Sequence, residues 1–393
     1  MEIWASPEPT VARIDATTYR DQLDETGHGA REDDLDLLAS LGIAATRYPV
    51  LWEKSVRSKR DAPDLAWAAR RLERLRELGI ESVVTLLHHG SGPADTSLID
   101  PEFPEAFARY AGAVARRFPW VRRWTPINEP LTTARFSTLY GLWYPNLRDD
   151  GAFARAIVNE ALALLLGMAA IRAHAPQAAF VLTEDLQSFT ALEPSVEPYV
   201  AHLRERMYFS LDLVCGRVVP GHALYGYLID NGVARVTLER VARLACAPDL
   251  VGWNYYPNSE RALRRGAAGG IDDVPARFHR ATSPRPLLRA AHERFGLPFG
   301  LSEAHINANE HARARWLYDR FDDLAALRDE GLPVRMLGAW AAFGLVDWDS
   351  LLTRREGFRE DGVFAFAWPG ETPRETAVAT AVRALCARLA PVA

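Results

Sequence analysis

The chain has 393 residues, of which 48% are hydrophobic and 25% charged, and its formal net charge is −5. The composition is that of an ordinary globular protein, and the length excludes a small single-core module. A negative balance supplies no basic field for a nucleic-acid backbone, so nucleic acid is not an expected partner.

In chain order, short apolar runs alternate with longer amphipathic segments. "EIWAS" opens the series. "AATRYPV" follows the helix-like "REDDLDLLASLG", and "SVVTLLHH" follows "DLAWAARRLERLRELG". Both of these helices close on glycine, which suits a helix C-terminus. "RRWTPIN" follows "PEFPEAFARYAGAVARRF", where an early proline and helical apolar spacing predict one amphipathic helix. "AAFVLTED" follows a long helix expected over residues 153–175. "DLVGWNYY", "PFGLSE" and "VRMLGAWAAF" continue the alternation, and "ETAVATAVRALCARL" is the last helix. "RRGAAGGIDD", residues 264–273, reads as an exposed loop after the sixth strand.

Eight such units, with strands apolar on both faces, predict a single (β/α)8 TIM barrel spanning residues 1–393 as one domain. No glycine-rich GxGxxG follows the first strand, which weighs against a dinucleotide cofactor. Cys215, Cys246 and Cys386 lie far apart in apolar contexts. They read as thiols in a reducing cytosol, neither a disulfide framework nor a zinc site. "MEIWASPEP" has no leader-like pattern, and the longest apolar run, residues 161–171, is too short to cross a bilayer. The expectation is a cytoplasmic protein without a membrane partner.

In such a barrel the chemistry gathers where the strands finish. The strand ends supply Glu8, Arg47, His88 with His89, and Asn128 with Glu129. They continue with Glu184 and Asp185, then Asn254, Tyr255 and Tyr256, then Glu303, and finally Trp340 with Asp347 and Trp348 beyond it. Carboxylates and amides bind hydroxyls, and indole faces cover the apolar side of a sugar ring, so this set points to a polyhydroxylated small molecule. Glu129 and Glu303 come from strands four and seven. Two facing carboxyls about 5–5.5 Å apart cleave a glycosidic bond with retention, one as acid/base and the other as nucleophile.

"TPINEP" resembles the T-x-N-E-P motif of family 1 glycoside hydrolases, and the resemblance runs over nearly the whole chain. "LVGWNYY" is similar to the family's G-x-N-Y-Y, and "TLLHH" to its T-L-Y-H-W, which places His88 on the sugar-binding histidine. The stretch ending "AWAAFGLVDW" resembles the family's eighth strand, with Trp340 and the Asp347–Trp348 pair on its tryptophan and Glu-Trp positions. More narrowly, "RYPVLWEK", "LHHGSGP" and "DWDSLLTR" are similar to the glycosidase-like part of proteins fused to dTDP-4-dehydrorhamnose reductase-like domains. The resemblance implies a retaining β-glycosidase working by double displacement on a small O-glycoside, with no cofactor. It implies Glu129 as acid/base and Glu303 as nucleophile, the latter kept ionised by Arg47 and Tyr256. Asn128 would donate to the 2-hydroxyl, and Glu8, Arg47, His88, Asn254, Tyr256, Trp340, Asp347 and Trp348 would contact substrate.

Departures are equally visible. Ser302-Glu303-Ala304-His305 replaces T-E-N-G, His89 stands for the family's tryptophan, Asp347 for its glutamate, and Glu8 lies where a glutamine is expected. Both acids persist, so bond cleavage is the expectation, with transglycosylation or a non-catalytic sugar-binding barrel as the competing readings. "HHG" also invites a metal site, but neighbouring strand residues point to opposite faces, so no metal is expected. Glu184 and Asp185 are extra acids that the sequence leaves between substrate binding and pairing with an arginine.

Overall fold

A computed structural model describes residues 1–266, 270–275 and 283–390. Eight strands close into a barrel in chain order: β1 (Glu2–Ala5), β2 (Ala45–Pro49), β3 (Glu81–His88), β4 (Arg123–Asn128), β5 (Ala179–Asp185), β6 (Leu250–Tyr255), β7 (Phe299–Ala304) and β8 (Val334–Ala339). All neighbouring pairs are parallel, and β1 closes the ring with Trp4 beside Gly338 on one side and Ala45 on the other. Each strand is followed by a main covering helix. These are α1 (Asp34–Ser40), α2 (Ala66–Glu77), α3 (Phe103–Arg117), α4 (Asp150–Arg172), α5 (Arg235–Leu244), α6 (Arg285–Phe295), α7 (Glu310–Asp329) and α8 (Ala377–Leu389). Three shorter helices, Glu197–Arg206, Phe209–Val214 and Tyr225–Asp230, fill the fifth crossover before α5.

The barrel interior is sorted by height. Trp4, Ala45, Val83, Val181, Leu250 and Met336, from six strands, pack into one apolar plug. Above it the inward side chains turn polar, beginning with Arg47, Asn128, Thr183, Asn254 and Ser302, all buried. Close approach of β7 and β8 below this polar layer requires glycine. A Cβ at Gly338 would lie 2.1 Å from the Ser302 carbonyl oxygen, and one at Gly300 2.2 Å from that of Met336. The outer faces of the strands meet the helices in one large apolar core. In α3, Phe103, Phe107, Tyr110, Ala111 and Val114 recur at helical spacing and are buried, as the sequence pattern predicts.

Two elements differ from their sequence reading. Helix α4 starts three residues earlier than expected, because Asp149 caps it by accepting the Ala152 N–H at 2.6 Å. It is long and apolar enough to cross a membrane, but most of that stretch is buried inside the fold, against α3 among others. Much of residues 264–273 is hairpin where a loop was expected. Glu260–Arg265 pairs antiparallel with Ile271–Pro275 and parallel with Ser188–Ala191. A partner strand some 70 residues away stabilises a segment whose own charged and small residues carry no strand signal. Residues 267–269 lie outside the described set.

Candidate active site

Strand β4 ends because Pro130 has no N–H to donate and disfavours right-handed helix in the residue before it. Glu129 stands in the left-handed region, φ +43°, at the N-terminal boundary of the short helix Pro130–Ala134. Such a backbone costs about 1–3 kcal/mol and persists only where its surroundings hold it. Here the Glu129 N–H donates to the Thr183 carbonyl at 3.0 Å and its own carbonyl accepts from Thr133 N at 3.0 Å. Glu184, left open by sequence, holds the turn from behind. Its carboxylate accepts the Leu131 N–H at 3.0 Å and the Ser210 hydroxyl at 2.8 Å. Burial pushes the Glu184 carboxyl up to about 7, against those hydrogen bonds.

Glu129 and Glu303 line one cavity of about 840 Å³ at the C-terminal mouth of the barrel. Glu303 is clasped on both oxygens: the Arg47 guanidinium donates to Oε1 and the Tyr256 hydroxyl to Oε2. Among the described residues no lysine or arginine lies within ion-pair reach of Glu129, and its one imidazole neighbour there, His89, is neutral. Asn254 Nδ2 donates to its Oε1 at 2.6 Å, and His89 Nε2 lies 3.7 Å from its Oε2. Burial, then the charges of Asp185, Glu303 and Glu184, hold Glu129 well above the usual carboxylate range. Burial raises Glu303 as well, with Arg47 and Tyr256 pulling it back. Arg47 and Tyr256, expected to keep Glu303 ionised, do act in that direction, and desolvation opposes them. The two environments still differ in kind, one acid without a cation and one gripped by an arginine, which is how paired carboxyls acquire separate roles.

Several residues expected to touch substrate instead support the acids. Asn254 is fully buried and bonded to Glu129. Asn128 is also fully buried; its Oδ1 accepts from Arg47 at 2.6 Å and Thr183 at 2.8 Å, and its Nδ2 faces His88 and His89. His88 stacks parallel to Trp340 at 5.8 Å, and neither His88 nor Arg47 lines the cavity. Glu8, Tyr256, Trp340 and Trp348 do line it. Glu8 accepts from Thr10 N at 2.9 Å, Thr10 Oγ1 at 2.6 Å and Trp340 Nε1 at 3.2 Å. Burial and the Glu303 charge push it up to about 8.

Asp347 was expected to face the sugar, and the structure turns it away. Its Oδ2 accepts from Arg20 at 2.8 Å and Glu356 N at 3.2 Å, and its Oδ1 from Phe358 N at 2.7 Å. A carboxylate so engaged, and buried, has no face left for a ligand. The strand-alternation argument about the two histidines also fails. Leu86 and Leu87 both join the outer core, so the alternation slips, and His89 follows in left-handed backbone at φ +58°. Both imidazoles thereby reach the Asn128 amide. Among the described residues no group of three or more His, Cys, Asp or Glu is arranged to hold a metal ion.

Sequence reading missed Thr183, His305, Glu360 and the placement of Asp185. Thr183 and Asp185 stand two apart at the end of β5, so alternation alone puts both on the inner face. His305 and Glu360, 3.1 Å apart on the cavity wall, come from segments 55 residues apart and left no local signal.

A family model for "Glycosyl hydrolase family 1" matches residues 19–267. The chain is 22% identical over 374 residues to a beta-glucosidase of Agrobacterium sp. (strain ATCC 21400), covering 84% of this chain and 77% of that one. Its fold is similar to that of a family 1 β-glucosidase from Thermotoga maritima, with TM-score 0.81, 16% identity, and coverage of 98% and 97% of the two chains. The same enzyme in complex with cyclophellitol matches with TM-score 0.77 over 92% of this chain and 86% of that one.

Proposed function

The chain belongs to glycosyl hydrolase family 1, and from that premise we propose that it hydrolyses a small β-linked O-glycoside with retention, through a glycosyl-enzyme on Glu303. The observation that carries this reading is the asymmetric pair in one cavity: Glu129 with no lysine or arginine beside it among the described residues, Glu303 clasped by Arg47 and Tyr256. Raised by burial and three neighbouring acids, Glu129 holds the proton that the departing glycosidic oxygen takes. Glu303, aimed by its two donors, attacks the anomeric carbon, and a covalent ester replaces the glycosidic bond. Glu129, now ionised, removes a proton from water, whose oxygen bonds the anomeric carbon as the ester bond breaks, leaving Glu129 protonated and Glu303 as a carboxylate. Indole faces of Trp340 and Trp348 supply the wall against which the sugar ring packs.

Stereochemistry tests the reading. NMR of the first sugar released from an aryl β-glycoside should show the β-anomer. Glu303→Gly should abolish turnover, and azide should restore part of it as the α-glycosyl azide. Release of the α-anomer would remove Glu303 as nucleophile, and absence of turnover across a glycoside panel would favour a non-catalytic sugar-binding barrel. An alcohol acceptor added to the same assay distinguishes hydrolysis from glycosyl transfer, since the two share the first step.

A further inference from the structure

His89 has no part in the double displacement, yet it lines the cavity and its imidazole is fixed on every side. Nδ1 lies 3.0 Å from Thr133 Oγ1, and the ring packs on Trp143 and Trp348 at centroid separations of 5.4 and 5.7 Å. The Asn128 amide decides what the other ring nitrogen can do. Arg47 and Thr183 both donate to Asn128 Oδ1, which makes Nδ2 the donor end of that amide. Nδ2 stands 3.1 Å from His88 Nε2 and 3.4 Å from His89 Nε2. A ring nitrogen that receives an amide N–H carries no hydrogen of its own. The 3.1 Å contact makes His88 Nε2 an acceptor, and the longer contact to His89, with the Thr133 hydroxyl free to accept from Nδ1, favours the same tautomer there.

The two acceptors differ in access. His88 Nε2 is engaged at 3.1 Å and lies behind the cavity wall. The Asn128 contact to His89 is at the long limit of a hydrogen bond, and the ring faces the cavity. A ligand hydroxyl at ordinary distance displaces so weak a contact. Burial and the Arg47 charge push the His89 imidazole down to about 3, so it stays neutral through the working pH range.

Resting on the function above, we propose that His89 is a specificity-determining residue whose bare Nε2 accepts a hydrogen bond from a glycone hydroxyl, so that the cavity selects glycosides carrying a donor at that position. Nε2 lies 3.7 Å from Glu129 Oε2, the oxygen that Asn254 leaves free to meet the glycosidic oxygen. The hydroxyl that reaches Nε2 is accordingly the one on the carbon next to the anomeric centre. A hydroxyl or amine there is read as a donor; an ether or fluorine presents a second acceptor to a lone pair and is disfavoured.

The test crosses residue with substrate. From a panel of 4-nitrophenyl β-glycosides, the fastest substrate and its 2-deoxy and 3-deoxy analogues are assayed with wild type, His89→Asn and His89→Gln. Asparagine is tolerated at positive φ but too short to reach, whereas the glutamine Oε1 approaches the place of Nε2. His89→Asn should lower kcat/KM on the parent about tenfold or more, the worth of one buried hydrogen bond. On the 2-deoxy analogue wild type and His89→Asn should agree within about twofold, and His89→Gln should recover part of the loss on the parent. An equal loss on the parent and both deoxy analogues, in variants whose melting temperatures match wild type, overturns the assignment. Wild type inert toward the whole panel overturns the function proposed above, and this inference with it.

Discussion

Arg47→Met removes the charge that faces Glu303 while keeping much of the side-chain volume. Arg47 is buried, donates to Glu303 Oε1 and to Asn128 Oδ1, and lies with its guanidinium carbon 4.7 Å from the Trp340 ring centre. At a contact of roughly 3 Å and an effective dielectric near 20, the bare attraction is about 5 kcal/mol, which sets a ceiling of about 4 pH units on the shift. Carboxylates beside arginines shift by about one to three units in practice. Burial already raises Glu303, and losing Arg47 raises it further, so the direction is fixed. In the proposed mechanism Glu303 must be ionised to attack, so the acidic limb of kcat/KM should move up by about one to three units. The deficit should be about 10- to 1,000-fold at pH values below the wild-type acidic limb and shrink as the pH rises through the variant's own limb. Arg47→Lys, which keeps a charge but not the fork, should fall between. The assay is kcat/KM on an aryl β-glycoside from pH 4 to 10, with thermal melts alongside. A profile lowered uniformly, with its acidic limb unmoved, would refute the assignment of Arg47 as the group that sets the Glu303 charge.

Further outcomes follow from the same contacts. Glu8 at about 8, against an ordinary 4.5, holds its proton in the fold where the unfolded chain has released it. Its contribution to stability is present below pH 4.5 and lost as the pH rises to 8, by up to roughly 5 kcal/mol for about 3.5 units. Glu8→Gln should therefore gain melting temperature over wild type at pH 8.5 and much less at pH 5, by calorimetry; a gap independent of pH would contradict the burial argument. Asp347→Asn should destabilise by about 1–3 kcal/mol, because Arg20 loses one charge-assisted bond while keeping its pair with Glu25, and KM for an aryl glycoside should stay within about twofold. A rise in KM with unchanged melting would return Asp347 to the substrate. Glu8, Glu129, Asp185, Glu260, Glu303, Asp349 and Glu360 all line the cavity, and no lysine or arginine does among the described residues. Aryl β-glucuronides and 6-phospho-β-glycosides should accordingly turn over at least about 100-fold more slowly than their neutral counterparts, measured as kcat/KM.

Much of this site was legible before any coordinates. Proline after an Asn-Glu pair marks a strand end, and an apolar run ending in Ser-Glu marks another, so Glu129 and Glu303 could be placed on strands four and seven. The family resemblance implied Arg47 and Tyr256 beside Glu303, and the structure has both donating to its carboxylate. What each polar group touches was less legible. Asn128 was read as a donor to substrate, yet Arg47 and Thr183 turn its amide toward two histidines. Asp347 was read as facing the cavity, yet an arginine over three hundred residues away, Arg20, takes its carboxylate.

The order of strands and helices was determined by the chain itself, because hydrophobic period and helix stops are local properties of successive residues. So were the identity and the strand-end position of the two acids. Tertiary structure alone decided which way the side chains face and which protons they keep. Adjacent His88 and His89 reach the same amide only because Leu86 and Leu87 both pack outward and the next turn is left-handed. Glu129 and Glu8 rise above the ordinary carboxylate range only through burial and through acids brought from other strands. Desolvation and Coulomb forces act over ångströms in space, and distance along the polypeptide does not report them.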